Sequence, residues 1–211
     1  VNKGSNQYGI FNNLDFKLSE NLTISGGLRI EEHSRHGLHS TYRAGSYYSF
    51  NNFLFYGSLA SGYKNPTLYE MFGADNFGYQ GNPNLNPETS HNKELGFNFH
   101  NDNNQIEFTV FDTLIEKMIS YGNNTYSNDS SGSSTMQGFE VSSNIYFKKI
   151  SINNSYSHVH AVDSSKNWLK RRPHDTFYTD FKYSKKDWWI KPSVLYYGKH
   201  SDTHSVDYST I

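Results

Sequence analysis

Ten histidines are the side chains in this sequence with the widest chemical range, since imidazole ligates transition metals and moves protons near neutral pH. His158 and His160 are two residues apart, so on a strand they share a face. His33, His36 and His39 recur at intervals of three in a short polar stretch. A zinc site needs three or four suitably placed ligands, and a pair on one strand does not make one; the polar stretch assigns the other three to solvent. Ser157, His158 and Asp180 supply the residue types of a hydrolase triad, but no nucleophile elbow or paired-carboxylate motif accompanies them. The expectation is therefore no catalytic residue, no metal site and no cofactor. The chain has no cysteine, which removes thiolate ligands and disulfides. A net charge of −1 gives no electrostatic case for nucleic acid.

The elements carrying these residues read as strands. Hydrophobic residues make up 35% and aromatic residues 17%, with 17 Tyr, 15 Phe and 16 Gly, and no run of about eighteen apolar residues exists to form a membrane helix. Period-two alternation recurs instead: Leu22, Ile24, Leu28 and Ile30 oppose Thr23, Ser25, Arg29 and Glu31, the pattern of a sheet with two unlike faces. About ten such segments succeed one another: 7–18, 22–32, 40–50, 53–63, 90–100, 105–121, 134–147, 150–162, 172–183 and 187–200. Most are close to the nine to eleven residues that a tilted strand needs to cross a bilayer.

Tight connections at 19–21, 51–52, 101–104, 148–149 and 184–186 alternate with longer ones, the largest being 64–89, 122–132 and 163–171. Short turns at one rim and long loops at the other are the arrangement of outer-membrane barrels. Phe50, Phe53, Phe97, Phe99, Phe147, Tyr183, Trp188 and Trp189 fall beside the short turns and read as an interfacial girdle. Arg29, Glu31, Arg43, Glu94, Asn98, Glu140, Asn144, Asp180 and Lys182 lie on the polar parity. They would face a lumen that needs water or a plug, as barrels of about twenty-two strands have. The competing architecture is a two-layer β-sandwich with the aromatics in its core.

The longest loop reads Ser61-Gly62-Tyr63-Lys64-Asn65-Pro66-Thr67-Leu68-Tyr69-Glu70-Met71-Phe72-Gly73 and then Gly81-Asn82-Pro83-Asn84-Leu85-Asn86-Pro87-Glu88. Gln137-Gly138-Phe139-Glu140 and Leu169-Lys170-Arg171-Arg172-Pro173-His174 come after it in order. These segments resemble the TonB-dependent outer-membrane receptors, which carry a basic-small-Pro strand exit, a Leu-Tyr-Glu step, a Gly-Asn-Pro-Asn-Leu-x-Pro-Glu box, a Gly-apolar-Glu strand opening and an Arg-Arg-Pro-x-His entry. The matching positions are Tyr63, Asn65, Pro66, Leu68, Tyr69, Glu70, Gly81, Asn82, Pro83, Asn84, Leu85, Pro87, Glu88, Gly138, Glu140, Arg171, Arg172 and Pro173. Independently of any family, Pro66, Pro83 and Pro87 end pairing and stiffen the loop, so these residues read first as shaping it.

The resemblance implies that residues 1–211 are one partial domain. That domain would be an all-β, antiparallel transmembrane barrel, with roughly ten of about twenty-two strands present and the plug and terminal strands outside the chain. It implies an outer-membrane receptor of Gram-negative bacteria, monomeric and embedded in lipid. The TonB-ExbB-ExbD complex would drive it through the plug. Within the family the spacing is similar to the vitamin B12 receptors, which makes cobalamin the expected cargo and a ferric siderophore the alternative. Haem receptors place a histidine between the strand exit and the Asn-Pro-Asn-Leu box, and Lys64 to Thr89 contains none. Exposed rings and polar groups on the long loops, namely Phe72, Asp75, Phe77, Tyr79, Tyr121 and Tyr126, are the candidate substrate contacts.

Overall fold

The computed structural model describes residues 4–130 and 132–201. The strands are β1 (Gln7–Lys17), β2 (Leu22–His33), β3 (Gly37–Phe50), β4 (Phe53–Lys64), β5 (Glu88–His100), β6 (Asn104–Glu116), β7 (Ile119–Gly122), β8 (Thr125–Asn128), β9 (Ser133–Phe147), β10 (Ile150–Val162), β11 (Asp175–Lys185), β12 (Trp188–Ile190) and β13 (Ser193–Tyr197), with one short helix, α1 (Leu68–Phe72). Eleven strands form one antiparallel sheet in the order β1-β2-β3-β4-β5-β6-β9-β10-β11-β12, with β13 also on β11; β7 and β8 pair separately. Each strand of the large sheet therefore lies beside its neighbour in sequence, as in an up-and-down barrel wall.

Two of the expected segments break. The 105–121 segment ends at Glu116, because Lys117 adopts φ 53° and turns the chain out of the ladder. Beyond it lies the β7–β8 hairpin, closed by Asn123 and Asn124 at φ 52° and 59°. Two consecutive left-handed residues are the signature of a tight hairpin turn, and asparagine tolerates them. The 187–200 segment is interrupted at Pro192. The Phe181 N–H still donates to the Pro192 carbonyl at 3.1 Å, but proline returns no donor, so the edge strand divides into β12 and β13. Pro173 likewise lies before β11, which begins at Asp175 rather than 172.

Directly paired residues share a face, so the register assigns every side chain. One row runs Leu22, Tyr48, Phe55, Phe97, Phe108, Val141, Tyr156, Phe177, Tyr196 across nine strands. The rows beside it add Leu59, Leu95, Val110 and Phe139, with polar residues such as Asn154 and Lys93 interspersed. Nothing within the described residues covers this face: Leu95 is 63% exposed, and Ile10, Leu14, Phe55, Val110, Ile145 and Phe181 are exposed too. The few buried apolar side chains, Met71, Tyr79, Leu85, Ala161 and Val162, all sit at the long-loop rim. A β-sandwich would bury its apolar face against a second sheet. This single layer instead presents it outward, as a barrel wall does to lipid.

The opposite face carries Arg29, Glu31, Arg43, Glu94, Asn98, Glu107, Glu140, Asn144, Asp180 and Lys182. Asp180 is 3% exposed; it accepts from Asn153 Nδ2 at 2.7 Å and Tyr178 Oη at 2.9 Å and pairs with Lys191 Nζ at 3.2 Å. Asp180→Ala removes the acceptor for three donors at once and is expected to cost about 1–3 kcal/mol, read as a lower urea midpoint in detergent. At the short-turn rim Phe53 lies 5.0 Å from Phe99, and Tyr183 lies 5.7 Å from Trp188. Trp189 departs from the expected girdle. It pairs with Ser184 on the polar face, and its ring lies under Lys182 Nζ at 5.5 Å.

Gly138, one of the motif glycines, has a packing reason. A Cβ there would meet the His158 carbonyl oxygen and the Phe111 ring, so the β9–β10 approach requires its absence.

Candidate functional site: a lobe at the long-loop rim

The β4–β5 and β6–β9 connections fold together. Leu68–Phe72 is helical because Thr67 and Glu70 form a reciprocal capping box: Glu70 N donates to Thr67 Oγ1 at 3.1 Å, and Thr67 N donates to Glu70 Oε2 at 2.7 Å. The spacing Thr-x-x-Glu is a sequence signature of a helix start, the one signal of this turn in a loop that otherwise reads as irregular. After the helix, Asp75 Oδ1 accepts from Phe77 N at 2.8 Å and Tyr79 N at 3.0 Å, which folds 74–80 into a tight turn with Gly78 at φ +93°. The chain then returns across the helix end: Gly81 N donates to Gly73 O at 2.7 Å and Asn82 N to Glu70 O at 2.9 Å.

The β7–β8 hairpin docks on this frame. Gln80 N donates to Asn124 O at 3.0 Å, Thr125 Oγ1 to Gln80 O at 2.7 Å, and Asn82 Nδ2 to Tyr126 O at 3.0 Å. Asn86 and Asn128 exchange two bonds, at 2.8 and 2.9 Å. Glu88 Oε1 accepts from Ile119 N at 2.6 Å and lies 3.5 Å from Lys64 Nζ. Tyr79 is the hub: its ring stacks on Tyr69 at 4.9 Å, meets Tyr126 edge-on at 5.9 Å and Tyr121 at 6.1 Å, and its hydroxyl donates to Tyr69 O at 2.7 Å. Such ring pairs add stabilisation beyond area burial. Burial also raises the Tyr79 phenol above its ordinary range, so it stays a donor.

The expected contact residues therefore divide. Tyr79, 5% exposed, is lobe core. Asp75 spends a carboxylate oxygen on the turn, and the Phe72 ring lies under the Arg35 guanidinium at 5.1 Å. Tyr126 is half-buried behind Tyr79. Phe77, 93% exposed, and Tyr121 remain outward, and Tyr69 joins them. Several motif residues hold the lobe together: Leu85 is buried, Pro66 is buried, and Asn82, Glu70 and Glu88 make the bonds just given. Tyr63 ties the lobe's root to the wall, its hydroxyl donating to Glu31 Oε2 at 2.6 Å, while Gln7 and Arg29 donate to Glu31 Oε1.

The triad types do not meet. Ser157 and Asp180 lie on the polar face, whereas His158 pairs with Phe139 on the apolar one, where its Nδ1 is 2.9 Å from Asp175 Oδ1. Among the described residues no three His, Asp or Glu are placed to hold a metal ion. Of the three histidines near 36, His36 lies in the expected turn, whereas His33 and His39 belong to strands. β2 and β3 extend to His33 and Gly37, His33 is buried and stacks on His36 at 4.9 Å, and His39 stacks on Tyr63 at 4.4 Å.

Loss of hydration holds His36 below the ordinary 6.5, with the His33, His39 and Arg35 charges acting in the same direction. A depressed pKa means that the open turn binds a proton more readily than the closed one. Stability present above about pH 6.5 is therefore lost progressively as pH falls below that value, through the lower value that His36 has in the closed turn. The protection of amides across 33–39, taken relative to their intrinsic base-catalysed exchange at each pH, is expected to be weaker at pH 5.5 than at 7.5 in the native chain and to lose most of that dependence in His36→Gln.

A family model described as "TonB dependent receptor-like, beta-barrel" matches residues 2–209. The chain belongs to the TonB-dependent receptors. That family consists of outer-membrane receptors and transporters of Gram-negative bacteria, not enzymes. Among solved structures, the siderophore receptor PirA from Acinetobacter baumannii is 24% identical with a TM-score of 0.80, over 93% of this chain and 34% of its own. The ferric enterobactin receptor from Pseudomonas aeruginosa, in complex with enterobactin, is 18% identical with a TM-score of 0.79, over 96% of this chain and 35% of its own. A copper transporter, OprC, is 15% identical with a TM-score of 0.78, over 95% and 36%. This receptor chain spans about a third of the length of the structures it matches, and at these identities the likeness is one of fold.

Proposed function

We propose that residues 1–211 are part of the barrel wall of a TonB-dependent receptor that takes up a ferric siderophore across the outer membrane. The carrying observation is the lobe at the long-loop rim. Two connections are locked into one rigid body whose core is Tyr79, and that body leaves the Tyr69, Phe77 and Tyr121 rings exposed, the kind of pre-formed surface on which a bulky ligand docks at little ordering cost. The receptors similar in fold include siderophore receptors, which supports an iron chelate over the cobalamin suggested by loop spacing. The polar face, with Glu94, Glu107 and Glu140 close together beside Arg43, lines the lumen around a plug that lies outside this chain. Energy comes from TonB, with its ExbB-ExbD partners, acting on that plug; the receptor works as a monomer.

The test is calorimetric titration of the whole detergent-solubilised receptor with a ferric catecholate, a ferric hydroxamate and cyanocobalamin. Selective binding of one ferric chelate is the expected result. Selective binding of cyanocobalamin would overturn the cargo while leaving the receptor fold in place.

A further inference from the structure

We propose that the β2–β3 turn is an acid-sensitive clamp on the rim lobe: neutral His33, His36 and His39 hold Arg35 against the lobe, and their protonation releases the lobe and weakens cargo binding. The cargo half rests on the reading of the lobe as a docking surface given above; the clamp itself does not.

Arg35 joins three parts of the chain. Its Nε and Nη2 donate to the Gly4 carbonyl at 3.2 and 3.0 Å, just before β1. Its guanidinium also lies over the Phe72 ring at the end of α1, 5.1 Å from the centroid, where the ring quadrupole attracts a cation. The turn is fastened to the same entry segment, with Ser34 N donating to Asn6 O and Asn6 N to Ser34 Oγ, both at 3.0 Å. At the root of the lobe, His39 stacks on Tyr63 near the end of β4.

The imidazoles that hold Arg35 there must be unprotonated. Arg35 N donates to His33 Nδ1 at 3.3 Å, and His33 is 7% exposed. A proton on Nδ1 would set a donor against a donor. His36 closes onto His33 through a bond from its N–H to the His33 carbonyl at 3.2 Å and a ring stack at 4.9 Å. The Nε2 atoms of His36 and His39 are buried with no hydrogen-bond partner among the described residues. An imidazolium donates from both nitrogens, so protonating either ring buries a charged N–H without an acceptor, whereas the open turn supplies water.

The charged neighbours act with the same sign. Arg35 and the other two imidazoles repel a proton on His36, and burial acts in the same direction. From β2, Glu31 pairs across the sheet with His39, but its carboxylate accepts from Tyr63, Gln7 and Arg29, so the Arg29 charge already balances it. From the lobe, Lys64 is engaged by Glu70 at 3.9 Å and Glu88 at 3.5 Å. The clamp therefore weakens as pH falls below about 6.5, the ordinary value from which His36 is depressed.

The experiment measures amide protection across 68–82 in the whole detergent-solubilised receptor, relative to intrinsic exchange, at pH 7.5 and 5.5. Titrations with a ferric catecholate and a ferric hydroxamate accompany it at both pH values. Native protection should fall by about fivefold or more at pH 5.5. The triple variant His33→Asn, His36→Gln, His39→Gln, in which the asparagine keeps an acceptor near the Nδ1 position, should stay protected at both. Arg35→Ala, at an exposed position, should show the loosened lobe already at pH 7.5 and no further change. At pH 5.5 the triple variant should bind the chelate more tightly than the native receptor by a similar factor; comparison at one pH cancels protonation of the chelate. Equal native protection at the two pH values, or a pH response that survives in Arg35→Ala, overturns the clamp. Protection that follows the prediction in a receptor that binds neither chelate upholds the clamp and sinks the cargo reading instead.

Discussion

Gly81→Ala is expected to open the long-loop lobe while leaving the sheet beneath it folded. A Cβ at 81 would lie 2.6 Å from both Met71 C and Phe72 N and 2.8 Å from Met71 O. All three are backbone atoms, so no rotamer change relieves the overlap, and the returning strand must lift off the helix end. That movement breaks the Gly81–Gly73 and Asn82–Glu70 bonds and uncovers Met71, Tyr79 and Leu85. Overpacking of this kind costs about 1–3 kcal/mol, and a lobe of about forty residues with a small core has little to set against it. Limited proteolysis should cut within 65–90 in the variant and not in the native receptor, and affinity for the proposed ferric chelate should fall by about tenfold or more. Native-like resistance and affinity in the variant would mean that the lobe is not a single rigid body.

Phe108→Lys should be far more damaging than Thr109→Lys, its neighbour in sequence. Phe108 pairs with Phe97 and Val141 on the apolar face, with ring centroids 5.8 Å from Phe97 and 6.2 Å from Phe139. A lysine at mid-membrane on the lipid face of a barrel costs about 2–4 kcal/mol. Thr109 pairs with Gly96 and Glu140 on the face that already carries Glu94 and Glu107, where a cation is solvated and meets opposite charge. Guanidine unfolding in detergent micelles or refolding yield into bilayers reads the difference; equal losses at 108 and 109 would count against the two-faced wall.

The alternation that assigns these faces is legible from sequence because the side-chain period of a strand is two and one face avoids water. Leu22 to Ile30 and Phe139 to Phe147 therefore fall on the apolar side with no other information. Two kinds of residue escape that logic. Trp189 reads as a girdle aromatic by position beside a turn, yet parity puts it on the polar face, where the Lys182 cation takes its ring. Lys117 and Pro192 cut runs that alternation joins, one through a left-handed φ and the other through a missing donor.

The candidate site is less legible. The Pro and Asn spacing in 64–89 points to a shaped loop, and it is one. What the spacing does not encode is the long-range partner: Tyr79 becomes core only because the distant β7–β8 hairpin brings Tyr121 and Tyr126 against it. Exposure of a loop aromatic depends on such packing, and so Tyr79 and Phe77, two residues apart, end as buried hub and open surface.

The most direct test of the two-faced wall is a lipid-quenching scan along β6. Residues 1–211 contain no cysteine, so single cysteines at 106 through 112 can each carry a bimane label, in the receptor with any cysteine outside this stretch replaced by serine and reconstituted into vesicles containing nitroxide-labelled lipid. Strong quenching is predicted at Ile106, Phe108 and Val110, and weak quenching at Glu107, Thr109 and Phe111. Quenching that is uniform along the strand, or strongest at Glu107 and Thr109, would contradict a wall with lipid on one side and a lumen on the other.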